Sequence, residues 1–346
     1  FAFANDLFNK TLVKAARGED LNSRRVTPTL KAYITYVETN EPDNASRVIK
    51  LSFLNKWLAY FTNERLKSIN TASLVLMTDW LKANSRKGSL SPNTIKRTST
   101  YQKQFFNWCQ ERGYIDDAPR FPKMRLEENR RPHFDEKDWT VLVRHLREFV
   151  KHRNPNIQRD RMLLRDYVLI LSNTGIRVGE ARGLKWRDIR EVSQPKDSEL
   201  PPDVALYVRG KTGAREVVAR TSAVKSYFKR ILEMRIAELQ KQAQEETDPI
   251  KARNMKVRPG PDDYIFCNRD GTPIGSFKKS FAALLQSAGV EMDSHGNKRT
   301  IYSLRHTYAT FRLQEGVHQF ILAKNMGTSV AMLEKHYGHT SNVASA

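Results

Sequence analysis

The chain has 346 residues, with 59 Lys and Arg against 38 Asp and Glu, a formal charge of +21 and a pI near 10.0. That length accommodates two domains with separate cores, and the cationic excess is the footprint expected of a nucleic-acid partner, with a merely basic soluble protein as the alternative on charge alone. Two distant cysteines, Cys109 and Cys267, without CxxC spacing exclude a disulfide framework or a zinc site, and no apolar run approaches the ~18 residues of a membrane span.

Phe1-Ala-Phe-Ala has neither a basic flank nor a long apolar core, so no signal peptide is read there and the expected setting is cytosolic. The absence of an initiator Met is read as numbering that begins inside a longer chain or after processing. Both halves are basic: residues 1–133 hold 23 Lys/Arg and 13 Asp/Glu (23 − 13 = +10), which leaves +11 for residues 134–346.

Residues 1–26 carry one short apolar pattern (Phe3, Leu7, Leu12, Val13) and read as an N-terminal arm or partial helix. Thr27-Pro28 offers a cap and a proline at the first helical position, followed by Leu30, Tyr33, Ile34 and Val37 at helical spacing. A second helix is predicted over about Ala45–Phe61 (Val48, Ile49, Leu51, Leu54, Trp57, Leu58) and a third over Thr71–Asn84 (Leu74, Val75, Met77, Trp80, Leu81). The fourth opens at Ser91-Pro92 and runs to about Arg112, with Ile95, Tyr101, Phe105, Phe106 and Trp108 inward and Lys96, Arg97 and Lys103 on the other face. That basic face reads equally as a solvated surface or a DNA contact. Residues 27–115 form one helical domain on this reading. Residues 116–133, with three prolines and five basic side chains including Arg130 and Arg131, read as a semi-extended linker suited to crossing a phosphate backbone.

The second domain, residues 134–346, begins with a helix opened by Asp135. Another is predicted over Arg159–Asn173, ended by Gly175 as a left-handed cap. A new helix, RVGEARGLKW, and a polar insert, SQPKDSELPPD, precede two strands, Val204–Arg209 and Glu216–Arg220, which form a hairpin with Lys211 at its tip. A long helix (Ala223 to about Gln244), a strand-like Tyr264–Cys267 and a helix near Phe277–Ala288 lead to IYSLRHTYATFRL and to a short helix ended by Tyr337. The predicted class is mainly α with a small antiparallel β-sheet.

Four segments in order resemble the tyrosine recombinases of the phage integrase type. TGIRVGEARGLKW is similar to the family's first arginine box, with Arg177 at the arginine and Glu180 at the acidic position. GKTGAREVV resembles the hairpin with the active-site lysine, here Lys211. YSLRHTYAT matches the second arginine box through Arg305, His306 and Thr307. MGTSVAMLEKHYGH places Tyr337 nine residues after Thr328, the spacing used before the nucleophile. Two positions depart from the pattern: Tyr302 stands where the family usually has histidine, and Thr328 where it has His or Trp.

The resemblance implies a two-domain DNA clamp, with a helical core-binding domain and an integrase-type catalytic domain. Tyr337 is the implied nucleophile on a scissile phosphate, giving a 3′-phosphotyrosyl link without metal or nucleotide cofactor. Arg177 and Arg305 would fork the non-bridging oxygens, and Lys211 would protonate the leaving 5′-oxygen. Glu180 would orient, and Tyr302 and Thr328 would donate hydrogen bonds. Taken singly these residues have ordinary readings: the arginines as ion-pair partners of Glu180, Lys211 as a turn lysine, His306 as a packing residue. His336 and His339 flank the tyrosine as candidates for assistance. Implied partners are duplex DNA with specific recombination sites, a homo-tetramer formed on DNA from free monomers, and accessory DNA-bending or directionality factors, in a prokaryotic cytoplasm at the nucleoid and without a membrane. A catalytically attenuated DNA-binding protein and a type IB topoisomerase-like enzyme are the competing readings.

Overall fold

The structure, a computed structural model, describes residues 24–85, 88–121, 131–192, 203–210 and 213–344, with scattered positions before them. Most of the expected N-terminal arm, residues 122–130 of the linker and the polar insert at 193–202 lie outside the described residues. Two compact units divide the chain between Glu128 and Asn129.

Four helices make up the first unit: Val26–Asn40 (α1), Ala45–Tyr60 (α2), Thr71–Ala83 (α3) and Pro92–Glu111 (α4). Side-chain caps start three of them: Asn44 accepts from Ser46 and Arg47, Asn70 from Ser73, and Ser91 from Thr94 ahead of Pro92. Thr27 does not cap the first. That helix begins at Val26, and the Thr27 hydroxyl donates to the Phe61 carbonyl (2.8 Å). The helix start is fixed by tertiary bonds, with Val26 N–H donating to Glu64 O and Leu66 N–H to Arg24 O, each 2.8 Å. The core is built from Leu30, Tyr33, Leu54, Trp57, Met77, Phe105 and Trp108. Val48, Ile49 and Val75, which helical spacing grouped with it, lie exposed. Lys50 turns inward instead, paired with Glu41 and 5.1 Å from the Tyr33 ring centroid.

The second unit contains Glu136–Phe149 (α5), Pro155–Thr174 (α6), Val178–Arg182 (α7), the strands Ile189–Val192 (β1), Asp203–Gly210 (β2) and Gly213–Val218 (β3), then Val224–Glu245 (α8), Pro249–Asn254 (α9), Lys278–Ala288 (α10), Ile301–Gln314 (α11), Gln319–Met326 (α12) and Val330–Ala344 (α13). Helix α6 is central: Leu163, Leu164, Tyr167, Val168, Ile170 and Leu171 are buried, and it packs on both α8 and α11. It starts at Pro155, capped by Asn154, earlier than the apolar pattern indicates. The sheet has three antiparallel strands in the order β1-β2-β3, with Ile189 opposite Leu206 and Gly210 opposite Gly213. Strand β1 was not expected, because four residues with two charges give too short an alternation. Tyr264–Cys267 makes only isolated bridges, to Lys185 and Pro273. Tyr337 lies within α13 rather than at a helix end.

A second apolar cluster of this unit joins α11, α12 and α13 through Tyr308, Leu313, Leu322, Met326, Leu333 and Tyr337. It anchors the tyrosine against the helix that carries Arg305. Among the described residues no helix is long and apolar enough to cross a membrane.

Candidate active site

Helix α6 must stop at Gly175, whose φ of 64° is left-handed and whose Cβ, if present, would lie 2.3 Å from the Tyr308 ring. The chain turns there and places Arg177 at the head of the short helix α7. Glu180, 4 % exposed, is third in that helix, and its Oε2 accepts the Arg177 backbone N–H (2.8 Å). Its Oε1 accepts from Arg177 Nη1 (2.7 Å). Both oxygens also accept from Arg215 of β3, at 2.7 and 2.8 Å in forked geometry. Burial alone would raise the Glu180 pKa. The hydrogen bonds from Arg215 and Arg177 outweigh it and hold the carboxyl at about 2.

Arg305, on α11, is 4 % exposed. Its Nη1 donates to Gly175 O (2.5 Å) and its Nη2 to Met326 O (2.7 Å). Arg177 Nη2 donates to Gly327 O, so the two arginines hold adjacent carbonyls of one turn. That turn closes with Gly327 left-handed (φ 63°) and with Thr328 N–H on Ala323 O (3.0 Å). Among the described residues Arg305 has no carboxylate partner. Burial lowers its pKa, Tyr302 opposes that effect, and the Arg177 charge adds to it. A buried guanidinium satisfied only by carbonyls, beside a second guanidinium, is an arrangement that favours an anion.

Tyr337 is 7 % exposed, and its hydroxyl makes a short hydrogen bond with His306 Nδ1. Burial raises the phenol pKa, against the pull of Arg305. Burial also pushes the imidazole down to about 3, helped by Arg131, His336 and Arg305. Both groups are therefore neutral at pH 7, and the phenol donates to the imidazole. The Tyr302 ring, 38 % exposed, stands edge-on to His306 at 4.9 Å, with Arg131 5.9 Å above it. His336 is half-buried with its ring 6.3 Å from that of Tyr337.

The structure thus brings Arg177, Glu180, Arg305 and Thr328 around one turn, and His306, Tyr302 and Tyr337 beside Arg305. Lys96, Arg97 and Lys103 are exposed on α4 of the first unit. Lys211, Arg130 and the His339 side chain lie outside the described residues. Arg215 and Asn325 were missed. Asn325 caps the edge of β3, accepting from Val218 N–H (2.8 Å) and donating to Val218 O (3.1 Å). The available signal for Arg215 was strand alternation, which puts it on the face of buried Val217. A cavity of about 790 Å³ between α6 and α8, around Arg159, Met162 and Met234, shares no lining residue with this cluster.

Residues 140–343 match the phage integrase family. A tyrosine recombinase XerC-like protein of Caldanaerobacter subterraneus subsp. tengcongensis is 24 % identical over 268 residues, which is 72 % of this chain and 63 % of that relative's length. A lambda integrase dimer bound to a COC′ core site superposes with a TM-score of 0.65 at 15 % identity, over 93 % of this chain and 79 % of that one. The Tn1549 transposon integrase in complex with transposon right-end DNA gives 0.62 at 17 % identity, over 93 % and 98 %. At these identities the two structures speak to the fold. The family match, spanning α5 through α13 and every residue of the cluster, assigns the chain to the phage integrase family of tyrosine recombinases.

Proposed function

We propose that this chain is a site-specific DNA recombinase that cuts and rejoins duplex DNA through a 3′-phosphotyrosyl intermediate, for integration and excision of a mobile element. The observation that carries the reading is Arg305: buried, without a carboxylate partner among the described residues, close to Arg177, and next in sequence to the histidine that holds Tyr337. In the step we propose, the Tyr337 oxygen bonds to phosphorus and the P–O5′ bond breaks. The phenol proton passes to His306 Nδ1, and the leaving 5′-oxygen takes a proton from Lys211. Attack by a 5′-hydroxyl of a partner strand reverses the step. Charge gathering on the non-bridging oxygens meets two preorganised guanidiniums, and such a donor is worth ~3–4 kcal/mol of barrier.

By this reading both basic units engage the same duplex, with Lys96, Arg97, Lys103, Arg130 and Arg131 on phosphates, and four chains assemble on two sites. Tyr302 in the place of a histidine favours the attenuated alternative. His306 against the phenol answers it, since an imidazole acceptor is retained at the nucleophile. The test is capture from a pool of nicked duplexes of random sequence, in which the nick lets the cleaved fragment diffuse away. The wild-type chain should form detergent-resistant adducts and Tyr337→Phe none. Equal DNA binding by both without any adduct leaves a binding protein on a recombinase fold.

A further inference from the structure

We infer that Arg215 is a positioning residue of this site, holding the Glu180–Arg177 pair and the Asn325–Gly327 turn in one arrangement so that Arg177 meets the scissile phosphate in register with the helix of the nucleophile. The inference rests on the phosphoryl-transfer reading above. Arg215 projects from β3 on the same face as the core residue Val217, and its side chain is 13 % exposed. Its two terminal nitrogens fill both oxygens of Glu180, and its Nε donates to the Asn325 carbonyl (3.0 Å). Its charge is thereby neutralised within the protein, in contrast to Arg305. With its donors on Glu180 and the Asn325 carbonyl, Arg215 holds protein groups rather than a phosphate.

Two glycines leave room for this pair. A Cβ on Gly327 would come within 2.7 Å of the Arg215 guanidinium, and one on Gly210 within 2.5 Å of Glu180 Oε1. Arg177 shares Glu180 Oε1 with Arg215 and also donates to Gly327 O. Removal of Arg215 frees both ends of this link together: Glu180 loses a forked partner, and the turn that leads through Thr328 into α13 loses one of its three arginine ties, leaving those of Arg305 and Arg177. A lysine keeps the charge but cannot span two carboxylate oxygens and a carbonyl from one head group.

The experiment uses a duplex already captured covalently by the wild-type chain, made with either an ordinary or a methylphosphonate scissile linkage. The methylphosphonate replaces one non-bridging oxygen with a methyl group and removes the charge that Arg177 would meet. On the ordinary linkage, Arg215→Gln should form adduct about 100-fold more slowly at saturating DNA, with affinity within about threefold of wild type. On the methylphosphonate the deficit should shrink to about tenfold or less, because less charge remains to be stabilised. Arg215→Lys should fall between them, about tenfold slow on the ordinary linkage. Equal deficits on the two linkages, or a rate within about threefold of wild type on the ordinary one, overturn the inference. Amide hydrogen exchange without DNA separates positioning from folding. Residues 325–328 should exchange faster in Arg215→Gln while α6 keeps its protection, and loss of protection in α6 for both variants reduces Arg215 to a structural ion pair. A wild-type chain that forms no adduct on any duplex defeats the phosphoryl-transfer reading, while the exchange experiment still reports on the hold of Arg215.

Discussion

The hydroxyl of Tyr337 lies against Nδ1 of His306 in the apolar cluster that joins α11 to α13. Burial raises the phenol and lowers the imidazole to about 3, so proton transfer between them is uphill without DNA. The cations that depress His306 include Arg131 and Arg305, the side chains a phosphodiester would approach. On the proposed reading a docked phosphate would offset that positive field, though not the burial, and so make His306 a better base than it is without DNA.

His306 should therefore matter more to cleavage than Tyr302, although the latter occupies the family's histidine position. His306→Gln is predicted to slow adduct formation by about 10² to 10³ with DNA affinity unchanged, within the range for loss of a general base. Tyr302→Phe keeps the ring edge on His306 and removes the hydroxyl that, on the proposed reading, would donate to the phosphate, predicted at about tenfold. Single-turnover rates at saturating DNA decide the order, and a larger effect at Tyr302 would reverse the assignment.

Acid should weaken the second unit through Glu180. Its carboxyl is held at about 2 in the fold against an ordinary 4.5, so its stabilising contribution is complete above about pH 4.5 and is lost as pH falls toward 2. The contribution is up to about 3 kcal/mol, at 1.36 kcal/mol per pKa unit. Urea unfolding of wild type and Glu180→Gln should show a gap at pH 7 that narrows below pH 4.5. A gap independent of pH contradicts the ion-pair account.

Two glycines should fail differently. Gly175→Ala drives a methyl into the Tyr308 ring at a left-handed position and should destabilise the unit by about 2–4 kcal/mol, seen as a lowered urea midpoint. Gly327→Ala meets the tip of a flexible side chain, Arg215, at a similar φ. Its stability loss should be about 1–2 kcal/mol, with cleavage reduced by more than that loss explains.

Lys96, Arg97 and Lys103 distinguish a DNA face from a solvated one. Each phosphate contact removed by substitution with Gln should flatten the slope of log K against log salt by about 0.9. A slope unchanged in the triple variant, measured by filter binding or anisotropy, leaves that face in solvent.

Much of the fold was legible where helical periodicity was long and capped, as at Ser91-Pro92 and Asp135, and where a glycine forced a stop, as at Gly175. Periodicity misplaced Val48, Ile49 and Val75, because spacing alone does not say which side of a helix meets a neighbour. The order of the arginine boxes put Arg177, Arg305 and Tyr337 on the page from sequence, and the acidic position gave Glu180 as an orienting residue. The sequence reading weighed His306 mainly as a packing residue. Its contact with Tyr337 depends on α11 packing against α13, 31 positions apart in the chain. Arg215 was hidden for a related reason. A basic residue in an edge strand reads as surface until the carboxylate it faces, 35 positions away, is in place.

The most direct test is to digest the captured DNA adduct and locate the attached nucleotide by mass spectrometry. The account predicts a 3′-phosphodiester on Tyr337 and a free 5′-hydroxyl on the released strand. Attachment to any other residue, or a 5′-phosphate link, would contradict it.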